Sequence, residues 1–275
     1  MFLLFNGEIL GKYRLVKPVK CSDISEVWIA VDGGGKFAVL KALHGGAHES
    51  ERMVALARVL KQADCSGIVG ILDCGVSESG IAYAAHPCME GGSLAGFLLK
   101  NGRLSLGQTV CMLLSVLNGL AAIHALDIVH RDIKPANIWI SKDGLACLGD
   151  FGIAKVPGFS DVSGAVFGSA AYMSPEQAKD TSMAIPASDL FSLGCVAYEC
   201  LTGCRRYPQK SFTDTLKAVV SDRGIHAREL EEFATLPFAV LLCKMMNPSP
   251  KMRPSSAEDI IREIESMRLP QDPLV

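Results

Sequence analysis

The 275-residue chain lacks a long apolar run, a Cys-x-x-Cys pair and any marked excess of one charge. No apolar stretch approaches the roughly 20 residues that a membrane-spanning helix needs. The opening Met1-Phe2-Leu3-Leu4-Phe5 is too short for the apolar region of a signal peptide and has no basic start, so a cytoplasmic protein without a membrane span is expected. Lys and Arg number 27 against 29 Asp and Glu, a net charge of −2, which argues against a nucleic-acid surface built on bulk attraction. Small molecules or proteins are the expected partners. Ten cysteines lie scattered through apolar contexts, among them Cys111, Cys195 and Cys243. In a chain of this size they read as reduced, mostly buried thiols rather than a disulfide framework.

What is present is concentrated in Ile128-Val129-His130-Arg131-Asp132-Ile133-Lys134-Pro135-Ala136-Asn137-Ile138. A carboxylate (Asp132), a cation (Lys134) and a carboxamide (Asn137) fall within six positions, framed by the apolar Ile128-Val129 and Ile138-Trp139-Ile140. Two short strands joined by a polar turn would aim all three groups into one cleft. Thirteen residues after Asn137 comes Asp150-Phe151-Gly152, led by the apolar Leu145-Ala146-Cys147-Leu148. Two acids and an amide at this spacing suit a magnesium phosphate, because hard cations take oxygen ligands.

These two stretches resemble the catalytic loop and metal-binding tripeptide of protein kinases. Asp-Ile-Lys-Pro-Ala-Asn-Ile, with lysine two positions after Asp132, is similar to the Hanks-type serine/threonine kinases of bacteria. The resemblance runs from about Tyr13 to Arg268. It implies an α+β, bilobal protein-kinase-like fold, with a small, mainly antiparallel β lobe carrying one helix (about 13–86), a hinge (87–92) and a larger, mainly α lobe (about 93–268), before a short tail (269–275).

Along the chain, Tyr13 to Val16 and Glu26 to Val31 read as strands around a turn at Lys20 to Ser25. Asp32-Gly33-Gly34-Gly35 is a hairpin turn into Phe37 to Lys41 rather than a phosphate loop, since a strand follows it. A helix is expected from about Ala47 to Gln62, where Met53, Leu56, Ala57 and Leu60 recur at helical spacing. Ile68 to Cys74 and Ile81 to Ala85 read as two more strands. Ser105 to Leu126 is a long helix with one apolar stripe, on which His124 is expected as a core histidine. Ser188 to Gly203 is a strongly apolar helix led by Asp189, ordinarily a cap, and Ala257 to Met267 is the last, amphipathic one.

Carried onto this sequence, the resemblance gives Asp132 and Lys134 the catalytic roles and Asn137 and Asp150 the metal. ATP would be held by Val19, Val27, Lys41 and, at the hinge, the carbonyl of Pro87 and the amide of Met89. ATP and magnesium, with manganese as an alternative ion, are the implied cofactors, and a protein Ser or Thr hydroxyl the acceptor. Ser169 would bond Asp132 and Lys134, and Asp189 would anchor the catalytic loop. Arg253 would pair with Glu176 of Ser174-Pro175-Glu176, and Arg131 would receive a phosphate on Ser160 or Ser163. The resemblance is weakest in the first lobe. The glycine slots of the phosphate loop hold Lys20, Ser22 and Ser25, where a glycine-like backbone would cost a side chain on the order of 1–3 kcal/mol. Val39 takes a slot usually held by alanine. The helix glutamate that should pair with Lys41 is ambiguous, with Arg52 in its slot and Glu49 and Glu51 nearby. A kinase-fold binding protein with little or no transfer therefore stands as the alternative, and a small-molecule kinase as a third reading. Dimerisation is not readable from the sequence.

Overall fold

The computed structural model describes residues 3–63, 65–159 and 169–274. Contacts divide the chain into two compact units, Met1–Cys65 with Val69–Cys88, and Ser66–Ile68 with Met89–Val275.

The first unit is an antiparallel sheet with one helix. Its strands are β1 (Ile9–Leu10), β2 (Tyr13–Cys21), β3 (Ser25–Asp32), β4 (Phe37–Leu43), β5 (Asp73–Val76) and β6 (Ala82–Pro87), in the order β1-β2-β3-β4-β6-β5. Period-two alternation sets the faces. Trp28, Ala30, Ala38 and Leu40 are buried with Tyr13, Leu15, Tyr83 and Ala85 in one apolar core. Pro18, which has no N–H to give a ladder, falls between two irregularities of register in β2. The turn after β3 is closed by Asp32, whose Oδ1 accepts from the N–H groups of Gly34 and Lys36, both at 2.9 Å, with Gly35 at a left-handed φ of 80°. Helix α1 (Ala47–Ala63) packs on β5 and β6.

Two expectations change here. The run from Ile68 is not strand until Asp73; Ile68 makes only an isolated parallel bridge to Leu148. Nor does the strand expected over Phe37 to Lys41 stop at the lysine; it runs on to Leu43. Lys41 sits inside β4, a central strand flanked by β3 and β6, opposite Val27 on one side and Ala84 on the other.

The second unit is mainly helical: α2 (Leu94–Asn101), α3 (Leu106–His124), α4 (Pro175–Lys179), α5 (Pro186–Thr202), α6 (Phe212–Val220), α7 (Leu236–Met245) and α8 (Ala257–Ser266), with a hairpin of β7 (Ile138–Ile140) and β8 (Ala146–Leu148). Helix α3 starts at a capping box in which Ser105 and Gln108 bond each other's backbone N–H. At 19 residues it is long and apolar enough to cross a membrane by length and composition, contrary to the expectation that no run comes close. Its apolar residues instead pack on α5, α8 and β8. Helix α5 ends at Gly203, left-handed at φ 74°. All ten cysteines are free thiols.

Candidate active site

The 3-10 turn Pro135–Asn137 leads directly into β7, and β7 pairs with β8 from Ile138↔Leu148 to Ile140↔Ala146. Beyond the last pair, the Gly149 N–H donates to the Asn137 carbonyl at 2.8 Å. Asp150 therefore leaves the hairpin where Asn137 enters it. Ile128-Val129 is not the partner strand, because Val129 makes only an isolated bridge to Lys155. The hairpin's own ladder is what aligns the groups.

Asp132, Lys134 and Asn137 converge. Lys134 Nζ donates to Asp132 Oδ2 at 2.7 Å. Asn137 Nδ2 donates to the Asp132 carbonyl at 2.8 Å and to Oδ2 at 2.9 Å. With both amide hydrogens so directed, Asn137 keeps Oδ1 as its remaining acceptor. That oxygen and the Asp150 carboxylate are donors of the type a hard divalent cation takes.

The loop is held from beneath by one carboxylate. Asp189, fully buried in α5, accepts from the His130 N–H at 2.8 Å, the Arg131 N–H at 2.9 Å and His124 Nε2 at 2.9 Å. It does not cap its helix: Ile185 is the N-cap residue, and its N–H is taken by Ser188 Oγ. His124 is thus a core histidine with a defined partner. Its place on α3 marked it as buried, while its bond to a residue 65 positions on carried no sequence signal.

His130 is fully buried, and its two ring nitrogens play opposite parts. Nδ1 accepts from the Asp132 N–H at 3.3 Å and Nε2 donates to the Gly149 carbonyl at 3.1 Å, the pattern of a neutral imidazole. Burial holds its pKa below the ordinary value, against the pull of Asp189 and Asp132. The ring packs edge-on against Phe151, centroids 4.6 Å apart. Arg131 and Asp150 adopt left-handed backbones, φ 67° and 59°, which cost non-glycine residues on the order of 1–3 kcal/mol each. The Asp189 bonds fix the first; just before the second, Gly149 is held through its N–H to Asn137 and through its carbonyl to His130.

Arg131 is buried and donates to the Ile153 carbonyl at 2.8 Å and towards that of Thr181 at 3.5 Å. Ser160 and Ser163 lie outside the described residues. Gln177, which the sequence reading did not single out, donates to the Arg131 carbonyl at 3.0 Å. Its spacing from Ser174 is that of a capping box, and both halves of the box form. The Ser169 hydroxyl bonds neither Asp132 nor Lys134 among the described residues; Lys134 and Asn137 both bond Asp132 Oδ2 instead.

In the first unit, Val27 and Lys41 are directly paired across β3 and β4 and share a face with Ile29 and Val39. Val19 falls in the second irregularity of β2 and is 56% exposed. None of Lys20, Ser22 or Ser25 has a positive φ, so the glycine-like strain expected there does not arise. The turn is shaped instead by hydroxyl bonds: Ser22 Oγ lies 2.9 Å from Ser25 Oγ and accepts the Ser25 N–H at 3.1 Å. On α1, Arg52 is half-buried while Glu49 and Glu51 are exposed. Pro87 ends β6, and the Met89 N–H has no acceptor among the described residues.

A β-sheet unit with one helix is thus followed by a helical unit with an acid, a lysine and an amide on a hairpin-anchored loop. The chain belongs to the protein kinase domain family, which it matches over residues 23–264. It is 38% identical over 208 residues to the serine/threonine-protein kinase PknA of Mycobacterium tuberculosis, covering 72% of this chain and 48% of that one. It is 30% identical over 277 residues to a probable serine/threonine-protein kinase of Clostridium perfringens, 98% of this chain and 40% of that one. A probable serine/threonine-protein kinase PknB of Bifidobacterium longum is 36% identical over 210 residues, 70% of this chain and 30% of that one. The chain thus spans about half or less of the length of these relatives.

Proposed function

We propose that residues 13–268 form a kinase domain that moves the γ-phosphoryl group of ATP to a serine or threonine hydroxyl of a protein. The observation that carries this is the state of Asp132. Its Oδ2 is taken by Lys134 and Asn137, while Oδ1 has no partner among the described residues and is left to accept a hydroxyl proton. The acceptor oxygen forms a bond to the γ-phosphorus as the bond to the β-phosphate oxygen breaks. The hydroxyl proton passes to Asp132, and ADP leaves. Lys134, beside Asp132, neutralises charge on the transferring group, and Lys41 steadies the α- and β-phosphates. Asn137 and Asp150 would hold magnesium or manganese, which supplies charge neutralisation between phosphate oxygens. Val19, Val27, the Pro87 carbonyl and the Met89 amide hold the nucleoside. The free thiols are consistent with a reducing cytoplasm.

Asp132→Asn tests the reading. Transfer to a generic basic protein should fall by on the order of 10²–10⁴-fold, the usual size of general-base assistance, with the ATP-dependent thermal shift retained. A variant as fast as wild type overturns it. The Ser22–Ser25 clasp, which occupies hydroxyls that could meet phosphate, favours a second reading, a kinase-fold binding protein. For that reading, wild type shows neither transfer nor a thermal shift with ATP and magnesium.

A further inference from the structure

The segment after α8 is not a free tail. At Arg268 the backbone turns left-handed, φ 51°, and Leu269–Leu274 runs back over the second unit. Asp272 donates its N–H to the Gly107 carbonyl at 3.2 Å, in the first turn of α3. Two residues on, Leu274 donates its N–H to the Gly144 carbonyl at 2.9 Å, in the turn between β7 and β8. Alternate N–H groups of an extended chain point the same way. The residue between them is Pro273, which has no N–H to leave unpaired on the other side. Leu274 is 3% exposed.

Both acceptors are glycines, and in both the missing side chain is where the segment lies. A Cβ on Gly144 would stand 2.9 Å from the Leu274 nitrogen and 3.0 Å from its oxygen; one on Gly107 would stand 2.0 Å from Asp272 Oδ2. The same Asp272 helps, after burial itself, to push the Cys111 thiol up one turn further along α3. Across the strap, then, the start of α3 and the tip of the β7–β8 hairpin are tied to one short stretch of chain. The hairpin is the element that carries Asn137 at its entrance and Asp150 at its exit.

We propose that Leu269–Leu274 is a positioning strap: Asp272 and Leu274 fix the β7–β8 hairpin against α3, and through it set the spacing of Asn137 and Asp150 and hence the affinity for a divalent cation. This rests on the reading of those two residues as metal ligands. It makes the end of α8 a handle on the metal site, since any partner or modification that lifts the strap loosens the hairpin.

Two full-chain variants test it. Leu274→Asp removes the buried apolar anchor. Gly144→Asn puts a Cβ against the strap while keeping a residue that tolerates a left-handed backbone. Hydrogen exchange, read on the metal-free protein, should accelerate in peptides covering Ser141–Asp150 and Leu106–Cys111 in both variants, with α5 and α7 unchanged. Manganese titrated in the presence of ATP should bind several-fold more weakly, with ATP affinity without metal unmoved. Wild-type exchange in the hairpin of both variants overturns the proposal, as does faster exchange with manganese affinity unchanged. Failure of wild type to transfer phosphate would count against the kinase reading alone, because the exchange measurement needs no activity.

Discussion

Arg253 and Glu176, 77 positions apart, meet in a buried two-pronged ion pair: Nη1 to Oε1 at 2.6 Å and Nη2 to Oε2 at 2.9 Å. Ser188 Oγ adds a bond to Oε1 at 2.6 Å, and the guanidinium lies over the Phe191 ring. The remaining Arg253 donors reach the carbonyls of Ala187, Asn247 and Pro248. One arginine thus ties α4 to α5 and to the turn before α8.

Breaking that pair should be expensive, because it strands a buried charge. Arg253→Met is expected to cost about 3–5 kcal/mol, a large part of the 5–15 kcal/mol typical of a domain, as read by urea unfolding. The pH dependence has a definite sign. Burial pushes the Glu176 carboxyl up, but Arg253 and Ser188 outweigh it and hold the group below the ordinary value of 4.5. A depressed native pKa contributes stability that is full above the unfolded value and is lost as pH falls through the native one. Wild type should therefore lose stability on acidification below about pH 4.5 more steeply than Glu176→Gln. Parallel curves would remove Glu176 from the account.

Asp189, with His124 on its Oδ2, holds the backbone just before Asp132. Asp189→Ala leaves two buried N–H groups of the catalytic loop and the His124 ring without their acceptor, at about 1–3 kcal/mol for each stranded group. The expected kinetic signature is a fall in kcat with the ATP-dependent thermal shift preserved. A folded variant that transfers at the wild-type rate would show that Gln177 and the hairpin hold the loop unaided.

Much of the fold was legible because local rules and long motifs agreed. The apolar stripe of α3 and the strongly apolar run of α5 placed those helices within a residue or two. Arg253–Glu176 was legible only through resemblance, since no spacing rule links residues so far apart. Misses arose where a distant element decided. Ile68 to Cys74 has the composition of a strand, but only its end finds a neighbour in the sheet. Asp189 does not cap its helix; its anchoring of the His130 and Arg131 N–H groups was legible through resemblance alone, and its bond to His124 had no signal at all. Gln177 and the strap depend on backbone carbonyls, which look alike at every position of a sequence.

Glu26 is another such case. It is 1% exposed, on the buried face of β3, and its carboxylate accepts from the Leu3 and Leu4 N–H groups, from Trp28 Nε1 at 2.8 Å and from His44 Nε2 at 3.1 Å. The segment before β1 is thereby clamped to the sheet, with Leu4 in the core. Glu26→Ala should release that segment and strand the indole N–H, at roughly 1–3 kcal/mol. Trp28 is buried while Trp139 is 36% exposed, so the variant's tryptophan emission should move to longer wavelength. An unshifted spectrum with unchanged protection of the Leu4 amide would show that the clamp is dispensable.

Nucleotide affinity should respond to the Ser22–Ser25 clasp. The turn needs no left-handed residue, so it carries none of the expected strain, and the two hydroxyls bond each other and the Ser25 backbone. Hydroxyls so engaged offer little to a phosphate, and side chains keep the backbone N–H groups from the close approach that glycine permits. Replacing both serines by glycine removes the clasp and the bulk together. The expected result is a KM for ATP lower by up to about tenfold, the equivalent of ~1.4 kcal/mol, with kcat little changed because Asp132 and its partners are untouched. The gain is bounded by the extra chain entropy that glycine loses on ordering. An unchanged or higher KM would mean that the loop does not meet the phosphates, and that Lys41 and the metal ligands alone set the affinity for ATP.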